Sequence, residues 1–334
     1  MSAGPSTAPR GASIRDVARS AGVSHQTVSR VLNGHVSIRD ETRQRVLAAI
    51  AELHYRPSAA ARALSTSRSR TIGVLASTRA HYGPARSIQA IEQAARDRGF
   101  FVTASSVQDP DEGSLRDALT TLLEQDIEAL VVIAPQQRVF TAIADIAPRV
   151  PYITLRALGT GDTNALRVDE IAGARLATRH LIDAGHTSIG HLAGPRDWVE
   201  AEARMQGFLQ ELGAADLQVS VPVLGDWTAD FGYRAGMQLL RWRECTAYFC
   251  SNDAVAIGLM HAARDLGLDI PGDVSIVGYD DAPEAAHLFP PLTTVRQDFA
   301  ELGTRCIAAL LGDDLPAALV PELVVRASTG PPRR

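Results

Sequence analysis

Ser13-Ile14-Arg15-Asp16-Val17-Ala18-Arg19-Ser20-Ala21-Gly22-Val23-Ser24-His25-Gln26-Thr27-Val28-Ser29-Arg30-Val31-Leu32-Asn33 reads as two short helices joined by a turn. Ile14, Val17, Ala18 and Ala21 recur at i, i+3, i+4 and i+7, one face of a helix. Ser13 stands where an N-cap is needed, and Asp16 follows three residues on, the spacing of a capping box. Gly22 breaks that helix. Ser24 opens a second, from His25 to Leu32, whose apolar side is Val28, Val31 and Leu32 and which Asn33-Gly34 stops. A third helix is expected from about Glu41 to Leu53, with Val46, Leu47, Ile50 and Leu53 inward. Three short helices, the first two separated by a glycine turn, describe a helix-turn-helix unit. On the second helix His25, Gln26, Ser29, Arg30 and Asn33 form a polar stripe opposite the apolar side. Such a stripe fits the major groove of DNA, where arginine suits guanine and glutamine suits adenine. The alternative is an ordinary solvated helix face.

Outward from this unit the texture changes twice. Residues 1–12 are small, polar and rich in Pro and Gly, which predicts an unstructured tail with no signal-peptide core. After Tyr55-Arg56-Pro57, residues 58–70 pass from an alanine-rich run to Ser65-Thr66-Ser67-Arg68-Ser69-Arg70, a linker composition. Leu64 is the one large apolar side chain there, and so short a segment is expected to order only against a partner. From Thr71 strand-like runs alternate with helical stretches. Expected strands include Thr71–Ser77, Phe101–Ser105, Ala129–Ala134, Tyr152–Leu155, Ala165–Val168, Ser188–Ala193, Val219–Leu224, Ala247–Cys250 and Val274–Tyr279. Between them lie helices such as Ala85–Arg98, Ile171–Ala184, Ala203–Leu212 and Val255–Leu266. This is the pattern of parallel sheets covered by helices. No sequence repeat within it is strong enough to read as a duplication.

Composition sharpens the division. Residues 1–70 carry 11 arginines against 4 acidic residues, a net charge of +7, whereas residues 71–334 carry 22 against 34, a net of −12. A basic head on an acidic body points to an anionic partner for the head, nucleic acid first. All 33 basic residues are arginine. The absence of lysine excludes P-loop phosphate chemistry, Schiff-base cofactors and the S-x-x-K nucleophile pair. G-x-S-x-G, H-E-x-x-H and metal-spaced His/Cys clusters are also missing, so neither an enzyme nor a metal site is expected. The 3 cysteines, Cys245, Cys250 and Cys306, have no C-x-x-C spacing and read as reduced thiols of a cytoplasmic protein. No apolar run is long enough for a membrane span.

With these features in order, the chain resembles the LacI/GalR family of bacterial transcription regulators. The resemblance runs from Ser13 to about Thr329. It rests on the opening stretch, His191-Leu192-Ala193-Gly194-Pro195, Ser251-Asn252-Asp253, Val277-Gly278-Tyr279-Asp280-Asp281 and the run Pro290 to Phe299. It implies a small all-α helix-turn-helix headpiece (13–57), a hinge helix and linker (58–70) and an α/β two-lobed body (71–330) like a periplasmic binding protein, with parallel sheets. The expected N-lobe is about 71–166 plus 294–326, the C-lobe about 167–293, and 331–334 a tail. The same resemblance implies base reading by His25, Gln26 and Arg30, and phosphate contacts from Ser24, Thr27 and Asn33. Leu64 would wedge into the minor groove at the centre of a palindromic operator, which implies a homodimer.

In the body the resemblance implies a sugar-like effector held by Ser77, Arg204, Asn252, Asp280 and Gln297, with Trp227 and Phe299 as apolar walls. Core packing is the alternative for Trp227, a helix cap for Asn252 and Asp253, and a strand-end cap for the Asp280-Asp281 pair. His81 and Tyr82 fit the cleft mouth and plain solvent exposure equally. Two positions depart from a well-known member: His25 replaces a tyrosine and Arg156 an aspartate that grips the effector, so neither operator nor ligand carries over. Arg156 fits an acidic or phosphorylated sugar, or points away. The chain ends at Arg334 without a leucine-heptad helix, so a dimer is expected. The function implied is a repressor of carbohydrate genes, needing no cofactor. The alternatives are a solute-binding protein of a sugar transporter and a regulator answering to a co-repressor or a partner protein.

Overall fold

The computed structural model describes residues 12–32, 37–55, 68–76, 81–107, 111–134, 136, 139, 150–157, 164–313 and 317–333; for residues 112, 156 and 157 it describes the backbone alone. The chain divides into two compact units, Met1–Arg70 and Thr71–Arg334.

The first unit holds α1 (Ile14–Ser20), α2 (His25–Leu32) and α3 (Asp40–Glu52). Ser13 caps α1 as a full capping box: the Asp16 backbone N–H donates to Ser13 Oγ, and the Ser13 backbone N–H donates to Asp16 Oδ2 at 3.0 Å. Gly22 ends that helix at φ +65°, a left-handed conformation glycine adopts without a Cβ clash. Ser24 Oγ then accepts the Thr27 N–H at 3.1 Å and starts α2. Val17, Ala18, Val28, Val31, Val46, Ala49 and Tyr55 close a small core. Leu47 is a correction: it was expected inward but is 51% exposed. The buried stripe of α3 is Val46, Ala49, Ile50 and Leu53, at i, i+3, i+4 and i+7, and Leu47 falls off that arc.

The second unit contains two sheets. The first is built from β1 (Thr71–Ala76), β2 (Phe101–Ser106), β3 (Ala129–Ile133), β4 (Tyr152–Ala157) and β5 (Ala165–Val168), in spatial order β2-β1-β3-β4-β5 and parallel throughout. The other uses β6 (Ile189–Ala193), β7 (Val223–Leu224), β8 (Ala247–Cys250), β9 (Ser275–Asp280), β10 (Thr293–Arg296) and β11 (Glu322–Val324), in order β11-β10-β9-β8-β6-β7. Its strands are parallel except β11, which runs antiparallel to β10. Apart from β11, the second sheet repeats the strand order of the first, a duplication visible in topology and not in residues. β3 and β9 are buried along their whole length, as strands sandwiched between helices must be. The covering helices are α4 (Tyr82–Asp97), α5 (Glu112–Leu123), α6 (Glu170–Asp183), α7 (Val199–Ala214), α8 (Ala229–Trp242), α9 (Asp253–Asp265) and α10 (Phe299–Leu310).

Two expectations need correcting. Of Val219–Leu224 only Val223–Leu224 pairs, and Val219 and Val221 are exposed; Pro222 offers no N–H to a ladder at that edge. Residues 294–326 do not return to the first lobe as one piece. β10 and β11 complete the second sheet, while α10 packs on α4, where a Cβ at Gly303 would stand 2.5 Å from the Ala90 backbone. Leu319 forms a parallel bridge to Val168 at the edge of the first sheet. The chain thus passes between lobes near 169, 297 and 320.

Candidate functional site

On the headpiece, Ser24, His25, Gln26 and Arg30 are exposed and Thr27 and Ser29 half-buried, while Val28 and Val31 face the core. Ser24 Oγ also lies 2.9 Å from Thr27 Oγ1, so part of its capacity is used within the helix cap. Asn33 and Leu64 lie outside the described residues, as does Ser77 in the body.

In the body a cleft opens where strands of both sheets end, the position favoured for ligands in doubly wound folds. It encloses about 750 Å³, open solvent included, within the range of small-molecule sites. From the first lobe come Ile133, Ala134, Leu155, the α4 entrance at His81 to Pro84, and Phe299 and Leu302 of α10. From the second come Glu170, Trp198, Glu200, Arg204, Trp227, Asn252, Asp280 and Gln297. The cleft therefore brings together Arg204, Trp227, Asn252, Asp280, Gln297 and Phe299 from positions 95 residues apart along the chain, and His81 and Tyr82 line it too. Arg156 sits on β4 opposite Arg167 of β5; its side chain lies outside the described part.

Arg204 is the hub. It is 4% exposed; Nε donates to Glu170 Oε2 at 2.9 Å and Nη1 to the Ser251 carbonyl at 2.5 Å. Its Nη2 is 3.7 Å from Asp280 Oδ1, and its guanidinium lies 3.8 Å from the centre of the Tyr279 ring. A Cβ at residue 173 would collide with Tyr279 at 2.2 Å, so Gly173 makes room for the ring beneath the cation. Burial opposes the charge on Arg204, but Glu170 and Asp280 beside it raise its pKa overall. Gln297 Nε2 donates to Asp280 Oδ1 at 2.9 Å, and burial pushes the Asp280 carboxyl up to about 6 against the pull of Arg204. Asp280 also holds φ at +109°, rare for a side-chain-bearing residue and typical of strained functional positions. Its neighbour Asp281 turns away to Arg296 and Arg326 at 2.7 and 2.6 Å. The acid pair thus splits into one cleft residue and one structural anchor.

Asn252 caps a helix and lines the cleft at once. Its Oδ1 caps α9 through the Val255 N–H at 2.8 Å, and its Nδ2 donates to the Trp227 carbonyl at 3.1 Å, leaving one amide hydrogen for the cleft. Asp253 is instead buried, accepting from the Ala282 N–H and the Thr294 hydroxyl at 2.7 and 2.5 Å. Trp227 seats against Gly194, where a Cβ would stand 2.4 Å from its ring, and meets Trp198 edge-on at 5.2 Å. Trp198 continues the aromatic wall to His81, and Tyr82 meets Phe299 at 6.0 Å. Glu170, Trp198 and Glu200 escaped the sequence reading. Glu200 and Arg204, one helical turn apart, look like a surface i, i+4 pair, and only the fold turns that face into the cleft. Among the described residues no group of three or more His, Cys, Asp or Glu is placed to hold a metal ion, and no helix is long and apolar enough to cross a membrane.

This architecture matches known proteins along its length. Residues 13–58 match the description "Bacterial regulatory proteins, lacI family", and residues 178–329 match "Periplasmic binding protein-like domain". The lactose operon repressor of Escherichia coli (strain K12) is 35% identical over 300 residues, 89% of this chain and 83% of that protein. The HTH-type transcriptional repressor PurR of Mannheimia succiniciproducens is 33% identical over 332 residues, 95% and 98% of the two chains. The crystal structure of the lac repressor dimer bound to operator and the anti-inducer ONPF superposes with a TM-score of 0.87 at 34% identity, covering 96% of this chain and all of that one. The chain is a two-lobed ligand-cleft protein with a helix-turn-helix headpiece. It belongs to the lacI family of bacterial regulatory proteins.

Proposed function

We propose that this chain is a sequence-specific DNA-binding repressor of carbohydrate genes, acting as a homodimer on a palindromic operator and controlled by a small sugar-like effector. The observation that carries the reading is the exposed row His25, Gln26 and Arg30 on a helix whose other side is buried, in the basic part of an otherwise acidic chain. His25, Gln26 and Arg30 read bases, Ser24, Thr27 and Asn33 meet the backbone and fix register, and Ser29 lies with them on the DNA-facing side. Leu64 opens the minor groove at the operator centre. The effector sits between Trp227 and Phe299, hydrogen-bonded by Arg204, Asn252, Asp280, Gln297 and Ser77. Because the cleft is built from both lobes, a ligand that fits one lobe arrangement better shifts the balance between arrangements and so the headpieces. No step requires bond chemistry in the chain; the protein works by binding in the cytoplasm.

The test is a fluorescence-anisotropy titration of promoter duplex, with and without each sugar of a panel. One sugar should change duplex affinity by about 5- to 150-fold, the usual size of allosteric coupling. Duplex binding that no sugar alters would contradict the effector half of the reading.

A further inference from the structure

We propose that the cleft selects an uncharged or cationic hydroxylated ring and rejects anionic sugars, and that Glu200 sets this preference. The inference rests on the reading of the cleft as an effector site and deepens it.

Charge on the walls is one-sided. Glu170, Glu200 and Asp280 line the cleft against Arg204, the one arginine that lines it among the described residues. Arg204 is not free to clamp an anion. Two of its nitrogens donate to Glu170 and to the Ser251 carbonyl, and its plane lies against Tyr279. A phosphate or carboxylate recognised by arginine needs an open fork of N–H groups, and this fork is largely engaged.

Two buried polar atoms at the cleft lack partners among the described residues: Glu200 Oε2 and Trp227 Nε1. A buried group without its hydrogen bond carries a desolvation cost, so both atoms favour a ligand that supplies the partner. The carboxylate oxygen needs a donor, and the indole N–H needs an acceptor. A ring hydroxyl can serve as either. The oxygens of an ionised phosphate or carboxylate only accept, so they would leave Glu200 unmet and add a like charge beside it. Glu200 sits in the first turn of α7, with Glu170 and Arg204 as its charged neighbours. Burial, reinforced by Glu170, raises its carboxyl to about 7, so it is mainly an ionised acceptor only above that pH. An ammonium on the ring would suit the surplus of negative charge and the aromatic wall of Trp198 and Trp227.

The experiment uses the full chain and matched probes at about pH 8, where carboxylic acids and phosphates are ionised. Glucose, galactose and ribose are compared by calorimetry with their phosphate esters, and the hexoses also with their uronic acids and amino sugars. Any neutral parent that binds should bind at least about tenfold tighter than its anionic form, because unmatched like charges oppose docking. In Glu200→Gln that gap should shrink severalfold; Glu200→Ser, which leaves space instead of an amide, should shrink it too, and thermal melts of both report folding. An anionic sugar that binds tighter than its parent, or a gap unchanged in both folded variants, overturns the proposal. If no sugar of any charge binds, the effector reading itself falls, a separate outcome from a failed charge preference.

Discussion

Arg204 shows how much one side chain can organise. Its charge is buried against Glu170 and Asp280, and its contacts hold Ser251 and Tyr279, so strands β8 and β9 and helix α6 meet through one guanidinium. Removing one partner of such a buried pair leaves uncompensated charge, which costs about 3–5 kcal/mol. Arg204→Ala should therefore lower the stability of the body by about that amount in denaturant melts; a loss within ordinary surface-mutation scatter would contradict the hub. At this scale the sequence was legible where the family resemblance singled out a residue. Arg204, Asn252, Asp280, Gln297, Trp227 and Phe299 were all expected at the cleft and all line it. Glu170 and Glu200 were not, because a carboxylate on a helix reads as solvated until the fold decides which face is covered. The split of Asp280 from Asp281 was equally hidden: it depends on a backbone turn at φ +109° and +51° that residue types alone do not announce.

At the scale of elements, local signals were reliable where the chemistry is local. Ser13 and Asp16 form the capping box their spacing called for, and Ser24 starts α2 as read. Long-range consequences were harder. β10 carries Thr293 and Thr294, fully buried yet polar; their hydroxyls are taken by Thr329 and Asp253, a satisfaction no linear pattern displays. The turn after β6 illustrates the same point for the site. Gly194 is there because Trp227, 33 residues later, needs the space of a side chain. Gly194→Val should push Trp227 out of its seat and weaken sugar binding by about tenfold or more, with overpacking costing about 1–3 kcal/mol of stability. Calorimetry and a melt on the same variant check both; unchanged sugar affinity would show that the ring position is not set by this contact.

For the whole molecule, the fold class followed from the alternation of elements after Thr71 and the change of charge at the same boundary. What stayed hidden was the repeated strand order of the two lobes and the return of α10 and Leu319, without β10 and β11, to the first, because topology is a property of pairing and pairing leaves no direct trace in composition. At the other end of the chain, α2 is proposed to read a specific duplex. Affinity selection from a random duplex library, followed by titration at fixed salt, tests it most directly. The expected result is a two-fold symmetric consensus bound about a thousandfold or more tighter than scrambled duplex, with Arg30→Ala losing about 1–3 kcal/mol of that preference. Enrichment of no consensus, or equal affinity for consensus and scrambled duplex, would contradict it.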